Sequence, residues 1–269
     1  MSARVLDGRA LADQLRVEIT PKVAAFASRH GRPPGLAIVL VGQNSASEVY
    51  VRNKLKTGRE VGFRADLERL MRRATDRGFT VTFNTNAWLL NEKRAAALAD
   101  AGVSVAYLSC DGFTEATVDH SRGKAGSWQK VRDACELLDR LPNPRVILSC
   151  ILHGGNAHEV RPLLGWCQDR GYELVVQPLY QNFGNNAHDP GWWRRSALWP
   201  TDPGPVNDAI DVLVAERQAA GKVCNPVAQL EAFRTYFINP SVYNGEVCKA
   251  GHTDLAFDPM GNIRLCYFL

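Results

Sequence analysis

Two side chains that could do chemistry, Tyr50 and Lys54, stand four residues apart in a segment that opens with a helix-capping pattern at Ser45 and Glu48. Residues four apart lie on one face of a helix, so an aromatic ring and an ammonium group there can meet the same substrate. A lysine takes part in proton transfer when burial or a nearby cation brings its pKa towards neutrality. The spacing indicates a candidate catalytic pair; the alternative is a helix pair with no catalytic role.

A second group of candidates follows short apolar runs that are typical of buried strands. Polar residues end four of these runs, at 84–86, 109–112, 153–156 and 177–178. In parallel sheets the carboxyl ends of the strands form the edge where ligands bind. We therefore expect a pocket at this edge. The other interpretation is that the loops use Asn, Asp and Gly only as turn residues.

Alternating patterns of helix and strand position these polar ends. From residue 66 onward, helices are predicted at 66–77, 91–101, 127–139 and 157–170, and strands at 79–84, 103–109, 145–151 and 173–178. Such alternation predicts an α/β fold of parallel βα units that form a partial (βα) barrel or an open sheet. Two further helices, at about 206–219 and 226–236, precede a small cysteine-bearing hairpin.

The first part of the chain has its own pattern. Apolar residues spaced by three and four between Leu11 and Phe26 predict an amphipathic helix, which Pro21 should kink or split. The apolar run 36–41 predicts a buried strand, and a second helix should extend from residue 45 to residue 62.

Composition limits the class of protein. A chain of 269 residues with 45% hydrophobic content can bury one large core. The net charge of +4 comes from scattered basic residues, so we expect no nucleic-acid partner. No stretch is long and apolar enough for a membrane span and no secretory leader is visible, which predicts a cytoplasmic protein without a membrane partner.

The seven cysteines do not suggest a disulfide framework, because their number is odd and no leader precedes them. Four of them lie in apolar strand or helix patterns, where a free cysteine usually behaves as a small buried hydrophobe. We expect these four in the core: Cys110, Cys135, Cys150 and Cys167.

The segments Val5–Ala12, Gly31–Gly42 and Ser45–Lys54 resemble the bifunctional methylenetetrahydrofolate dehydrogenase/cyclohydrolase family, and the match runs to Gly62. The resemblance implies that Tyr50 lies against the pterin ring and that Lys54 is the acid/base group of the cyclohydrolase step. What the family places after this helix is missing, including the Gly-rich turn for a dinucleotide. We therefore expect no bound NADP and no intact activity of either kind.

Four later segments are similar to the radical SAM superfamily: Arg64–Leu70, Phe79–Asn86, Val105–Gly112 and His120–Gly123. The resemblance implies that strand-end residues line a pocket for S-adenosylmethionine (SAM). It extends to two further positions, Arg122 and Asn156, where the family commonly has pocket residues. One departure is Ala87, which replaces the usual Gly. The implied cofactor-binding residues are Thr85, Asn86, Ser109, Asp111, Arg122 and Asn156.

The cysteines of the chain depart from the pattern of the radical SAM superfamily. Radical generation needs a 4Fe-4S cluster on Cys-x-x-x-Cys-x-x-Cys, and no three of the seven cysteines have that spacing. We therefore do not expect the radical-generating cluster. The tail residues Cys248, Gly261 and Cys266 resemble the opening of a SPASM or twitch extension, which implies Cys248 and Cys266 as metal ligands. An auxiliary cluster normally needs three or four thiolates, so we do not expect this one either.

These patterns predict three parts: a folate-enzyme-like segment (1–63), a truncated radical SAM-like βα core (64–205), and helices with a partial SPASM-like tail (206–269). The seam should fall at Gly62 and Phe63, with strand 36–41 paired to strand 79–84. One hypothesis is a radical SAM-like protein without radical activity that retains binding of SAM or of a small-molecule or peptide substrate. The second is a one-carbon enzyme fragment that uses Tyr50 and Lys54. The third is a non-functional chimera of two reading frames. The sequence leaves the oligomeric state open.

Overall fold

A computed structural model describes residues 8–31, 33–34, 67–181, 189–241, 256–257 and 263–264. The chain divides into two compact units, Met1–Leu70 with Cys248–Leu269, and Met71–Val247. Several predictions lie outside the described residues: strand 36–41, helix 45–62, the seam, and the side chains of Tyr50, Lys54, Cys248 and Cys266. The catalytic pair, the tail ligands and the pairing of strand 36–41 therefore stay predictions.

The described helices are α1 (Gly8–His30), α2 (Leu67–Thr75), α3 (Glu92–Asp100), α4 (Glu115–Arg122), α5 (Ser127–Leu138), α6 (Val160–Arg170), α7 (Gly204–Gln218) and α8 (Val227–Ile238). The described strands are β1 (Thr82–Thr85), β2 (Val105–Ser109), β3 (Arg145–Leu152), β4 (Glu173–Pro178), β5 (Ala256–Phe257) and β6 (Ile263–Arg264). Short 3₁₀ turns occupy Ala157–Glu159 and Trp192–Arg195.

The predicted fold class is confirmed, because β1 to β4 form one open parallel sheet in the order β1-β2-β3-β4. Helices connect the consecutive strands, as a parallel sheet requires. All four strands therefore end at the same edge, which is where the polar residues were expected to meet.

The two faces of the sheet differ in character. The strands are in register at Leu108, Leu148 and Leu174, and all three side chains are fully buried in the core with the helices. The opposite face carries Tyr107 and Ser109, which are only half-buried. Successive strand residues alternate between faces, so the polar face is the one turned away from the apolar cluster.

Helix α5 buries one apolar stripe in the core that it shares with the sheet. In α5 the buried residues Val131, Ala134, Cys135 and Leu138 recur at the spacing of one helical face. The four cysteines predicted in the core are all buried.

Helices α7 and α8 also contribute buried residues to this core and belong to the Met71–Val247 unit, so the compact units do not divide at residue 205. The three-part division remains a prediction about origin.

Two helices differ from expectation. Helix α4 was not predicted, because only Val118 among its eight residues is buried and no apolar period marks it. Helix α1 continues through Pro21 and is not split there. Along α1, Val23 is buried whereas Leu15 and Phe26 keep more than a third of their surface exposed.

Candidate functional site

Asp111 lies at the centre of a buried polar network where β2 ends. Its Oδ1 accepts hydrogen bonds from the Arg122 guanidinium at 2.7 Å and from the Ile151 backbone N–H at 2.8 Å. Its Oδ2 accepts from the Ser121 hydroxyl at 2.8 Å. The carboxylate is 2% exposed, so these partners replace the water that it loses. One aspartate thus holds together the end of β2, helix α4 and strand β3.

Asn156 braces the same region from the turn after β3. Its side-chain NH₂ donates to the backbone carbonyls of Asp111 at 2.6 Å and Ile151 at 2.8 Å. Its Oδ1 accepts from the His153 backbone N–H at 2.8 Å. The residue is 1% exposed, and its amide is occupied by these protein partners. Its geometry is that of a brace between β2 and β3.

Helix α4 sets the position of Arg122. Thr114 is the N-cap residue and accepts from the Thr117 N–H, and Gly123 ends the helix in the left-handed conformation. This places Arg122 in the last turn, with its side chain 12% exposed beside Asp111. Within the described structure, the buried Arg122 Nε has no hydrogen-bond partner. A buried guanidinium N–H without an acceptor is suited to an anionic ligand group.

Glu159 secures the amino end of α4. Its carboxylate accepts from the backbone N–H groups of Phe113 at 2.6 Å and Thr114 at 3.1 Å, and from the hydroxyls of Thr114 and Thr117. Burial acts to raise the pKa of Glu159, but the hydrogen bonds from Thr114, Thr117 and the backbone outweigh it and lower the pKa. The ionised side chain therefore clamps the loop after β2 to the loop after β3.

The loop after β1 holds the Thr-Asn pair in a tight turn. The Thr85 hydroxyl accepts from the Ala87 N–H at 3.1 Å, and Asn86 Oδ1 accepts from the Trp88 N–H at 3.3 Å. Ala87 has a φ of +67° and is buried. That left-handed conformation costs a residue with a Cβ about 1–2 kcal/mol, so glycine would occupy this position with less strain.

The predicted cofactor-binding residues are only partly brought together. Asp111, Arg122 and Asn156 share one network. Ser109 is half-buried on the polar face of the same sheet edge. Thr85 is in register with Leu108 and so lies on the helix-covered face, opposite to Ser109.

The four core cysteines do not fit an iron-sulfur cluster. Burial raises the pKa of Cys135 and of Cys167 to about 12, and raises the pKa of Cys110 and Cys150 as well. Cluster ligands are thiolates, whereas these groups are buried thiols packed in the core. Among the described residues, no three His, Cys, Asp or Glu side chains are grouped so as to hold a metal ion.

A wide groove of about 730 Å³ lies elsewhere, between α6 and α7. It is lined by Arg161, Leu164, Gly165, Gln168, Asp208, Asp211, Val212, Ala215 and Glu216. None of these residues takes part in the network around Asp111.

Three residues of the network were missed at the level of sequence: Ser121, His153 and Glu159. Ser121 lies within the motif His120–Gly123 and His153 within the polar strand end 153–156, so the available signal was membership of these segments; Glu159 lies three residues after Asn156. The contact between Ser121 and His153 spans 32 residues and that between Glu159 and Phe113 spans 46, which local patterns do not reveal.

The N-terminal part of the chain matches a family model for the tetrahydrofolate dehydrogenase/cyclohydrolase catalytic domain over residues 6–83. The bifunctional protein FolD of Solibacter usitatus is 58% identical over 59 residues, which are 22% of this chain and 19% of the relative. FolD of Acidovorax ebreus is 55% identical over 69 residues, 26% of this chain and 24% of the relative. The chain thus spans about a quarter of these relatives or less. The family match extends 20 residues beyond the predicted seam.

Solved structures of SuiB from Streptococcus suis have a fold similar to that of this chain. The Streptococcus suis SuiB structure bound to S-adenosylmethionine superimposes with a TM-score of 0.52 and 13% identity, over 99% of this chain and 65% of that one. SuiB bound to the precursor peptide SuiA gives 0.51 and 14%, over 91% and 63%. The chain therefore joins a folate-enzyme-like N-terminal segment to a radical SAM-like fold. Among the described residues, no helix combines the length and apolarity that crossing a membrane would need.

Proposed function

We propose that the Met71–Val247 unit binds S-adenosylmethionine at the carboxyl edge of its sheet and does not convert it to a radical. The observation that carries this proposal is the buried Arg122 guanidinium, which is paired with Asp111 through one nitrogen and has no partner for Nε in the described structure. A carboxylate is the natural acceptor for such a donor, because guanidinium and carboxylate form strong charge-assisted hydrogen bonds.

The other site residues fit the remaining parts of the ligand. SAM combines an amino-acid end, a sulfonium and an adenosine, and needs both a charged anchor and neutral polar partners. Ser109 and Asn86 are half-buried polar residues at the same sheet edge and could meet hydroxyl or ring nitrogen groups. Asp111 and Asn156 are satisfied within the protein and would hold the site in shape. The SAM-bound SuiB structure, which has a similar fold, also supports this ligand.

We expect no radical step, because the cysteines of the chain do not have the spacing that holds the radical-generating cluster. The seven cysteines of the chain lack the Cys-x-x-x-Cys-x-x-Cys spacing. The four in the core are buried thiols with raised pKa values. The bound cofactor would therefore remain intact, and the protein would act as a binding module.

Isothermal titration calorimetry with the full chain and SAM tests the proposal. Arg122→Lys retains a positive charge next to Asp111 but removes the guanidinium Nε, and should weaken binding about tenfold or more. Arg132→Lys, at an exposed position on α5, is the matched control and should leave binding unchanged. No heat of binding with the wild type, or equal affinity of the Arg122→Lys variant, would contradict the proposal.

A peptide is the second candidate ligand. The polar face of the sheet carries Tyr107, Ser109 and Ser149, none of which is fully buried. The SuiB structure with its precursor peptide has a similar fold and supports a peptide on this face. Fluorescence anisotropy with a labelled peptide library, in the presence and absence of SAM, would identify such a ligand. Uniform lack of binding would remove this candidate.

A further inference from the structure

We infer that His153 is a positioning residue for the Arg122 site: acting through Ser121, it holds the Asp111 carboxylate and thereby fixes the guanidinium that would receive an anionic ligand group. The inference rests on the proposed function, because it concerns the same site. Neither His153 nor Ser121 has a role of its own predicted from the sequence, although both lie in segments named there, 153–156 and His120–Gly123.

The hydrogen bonds determine which nitrogen of His153 carries the proton. The hydroxyl of Ser121 donates to Asp111 Oδ2 at 2.8 Å, so its single hydrogen is already used. His153 Nε2 lies 3.1 Å from the same hydroxyl oxygen and must therefore be the donor of that pair. His153 Nδ1 accepts from the Gly155 N–H at 3.1 Å. Both contacts are satisfied by the neutral imidazole with its proton on Nε2.

This arrangement forms a chain of donors that ends at the arginine. His153 donates to Ser121, Ser121 donates to Asp111, and Asp111 accepts from Arg122 at 2.7 Å. His153 is 1% exposed, so water does not compete for its Nε2 hydrogen. This series of hydrogen bonds connects the turn after β3 with helix α4, and so fixes the position of the Arg122 side chain on α4.

Protonation of His153 would displace its ring, because Nε2 would still donate to Ser121 but Nδ1 would no longer accept from Gly155. The imidazolium has a hydrogen on Nδ1, which would face the Gly155 N–H and remove its acceptor. Burial lowers the pKa of His153, Asp111 acts to raise it, and His120 and Arg122 lower it further, so the neutral form is favoured in the folded protein. A group with a lowered pKa supports the site at neutral pH and loses that role as the pH falls.

A double-mutant cycle on the full chain tests the chain of donors, with SAM affinity as the readout. His153→Leu and Ser121→Ala should each weaken binding about tenfold, because each removes a buried hydrogen bond. The double variant should be no weaker than either single variant, because His153 acts only through Ser121. Additive losses, or no loss in either single variant, would overturn the inference. Circular dichroism of each variant establishes that it is folded.

His153→Gln gives a readout that a purely structural histidine would not produce. The glutamine amide can still donate to Ser121 but cannot be protonated. We expect near wild-type affinity at neutral pH, and we expect the wild type but not this variant to lose affinity once the pH falls below the ordinary histidine value of 6.5, since the pKa of His153 is lowered. Equal pH profiles for the two proteins would overturn the inference.

A measurement without ligand separates this inference from the proposed function. In the free protein, hydrogen exchange at Arg122 Nε can be followed by NMR with ¹⁵N-labelled arginine. Exchange should accelerate about tenfold in His153→Leu and in Ser121→Ala, while Arg217, which donates to the Val223 carbonyl, serves as the internal control. If the wild type does not bind SAM but this acceleration is seen, the proposed function fails and the positioning role stands. Unchanged exchange at Arg122 would overturn the positioning role.

Discussion

Arg122 and Asp111 form an ion pair of 2.7 Å in which the aspartate side chain is 2% exposed and the arginine side chain 12% exposed. Two more donors, from Ser121 and the Ile151 backbone, converge on the same carboxylate. The pair is therefore a structural centre as well as the proposed anchor for an anion, and the two roles can be tested separately.

Removing the charge of Asp111 should destabilise the fold. Asp111→Asn leaves the Arg122 guanidinium buried without its counter-charge, which costs about 3–5 kcal/mol for a buried pair. Urea unfolding followed by circular dichroism measures the loss. Asp133→Asn is the matched control, because the exposed Asp133 side chain contacts Lys130 at 3.9 Å and Gln129 at 2.7 Å, both on its own helix. A similar small loss in both variants would mean that the buried pair contributes little.

Ala87→Gly should stabilise the protein. Ala87 has a φ of +67°, and glycine relieves the strain of this left-handed conformation, so we expect the free energy of unfolding to rise by about 1 kcal/mol. Ala95→Gly changes an equally buried alanine inside helix α3 and should lower it by about 1 kcal/mol. Thermal unfolding of both variants tests the prediction, and a loss of stability in Ala87→Gly would refute it.

Glu159 should make stability depend on pH. Because its pKa is lowered in the folded protein, its contribution is present above the ordinary value of 4.5 and is lost as the pH falls through the lowered folded value. Glu159→Gln should reduce stability near neutral pH, and its difference from the wild type should shrink on acidification. Urea unfolding over a pH series measures this. Glu115→Gln, at an exposed position in the first turn of α4, should show no such trend.

Gly112 should not tolerate a side chain. A Cβ at this position would collide with the Glu159 carboxylate and lie 2.8 Å from Thr117 Cγ2. We expect Gly112→Ala to lower the free energy of unfolding by about 1–3 kcal/mol, because the clamp on α4 must move. Gly165→Ala, in the middle of α6 with open space around its Cα, should instead raise it by about 1 kcal/mol. Equal effects of the two changes would argue against a tight fit at Gly112.

The sequence was sufficient for the sheet but not for the network. Strand β4 has the predicted bounds, because its apolar run and its flanking polar residues mark both ends. Asp111, Arg122 and Asn156 were predicted and share one network, yet their separate functions of charge pairing and bracing became clear only from hydrogen bonds between segments about 40 residues apart. The sequence also could not predict which strand residues share a face of the sheet, because the register that places Thr85 and Ser109 on opposite faces depends on strand pairing.

The failure to predict helix α4 also has a physical reason. Helix α4 is short and mostly exposed, so it has no apolar period, although Thr114 and Gly123 carry ordinary capping signals at its two ends. Those caps, rather than hydrophobic spacing, would have predicted it. Helix α4 carries Ser121 and Arg122. Without this helix, the sequence could not show that Asp111 after β2 is connected to His153 after β3.

A structure of the full chain determined with bound SAM tests the central claim most directly. We predict an intact ligand at the carboxyl edge of β1, β2 and β3, with its carboxylate on the Arg122 guanidinium and the Asp111–Arg122 pair preserved. A ligand bound elsewhere, such as the groove between α6 and α7, or a carboxylate that does not meet Arg122, would contradict the account.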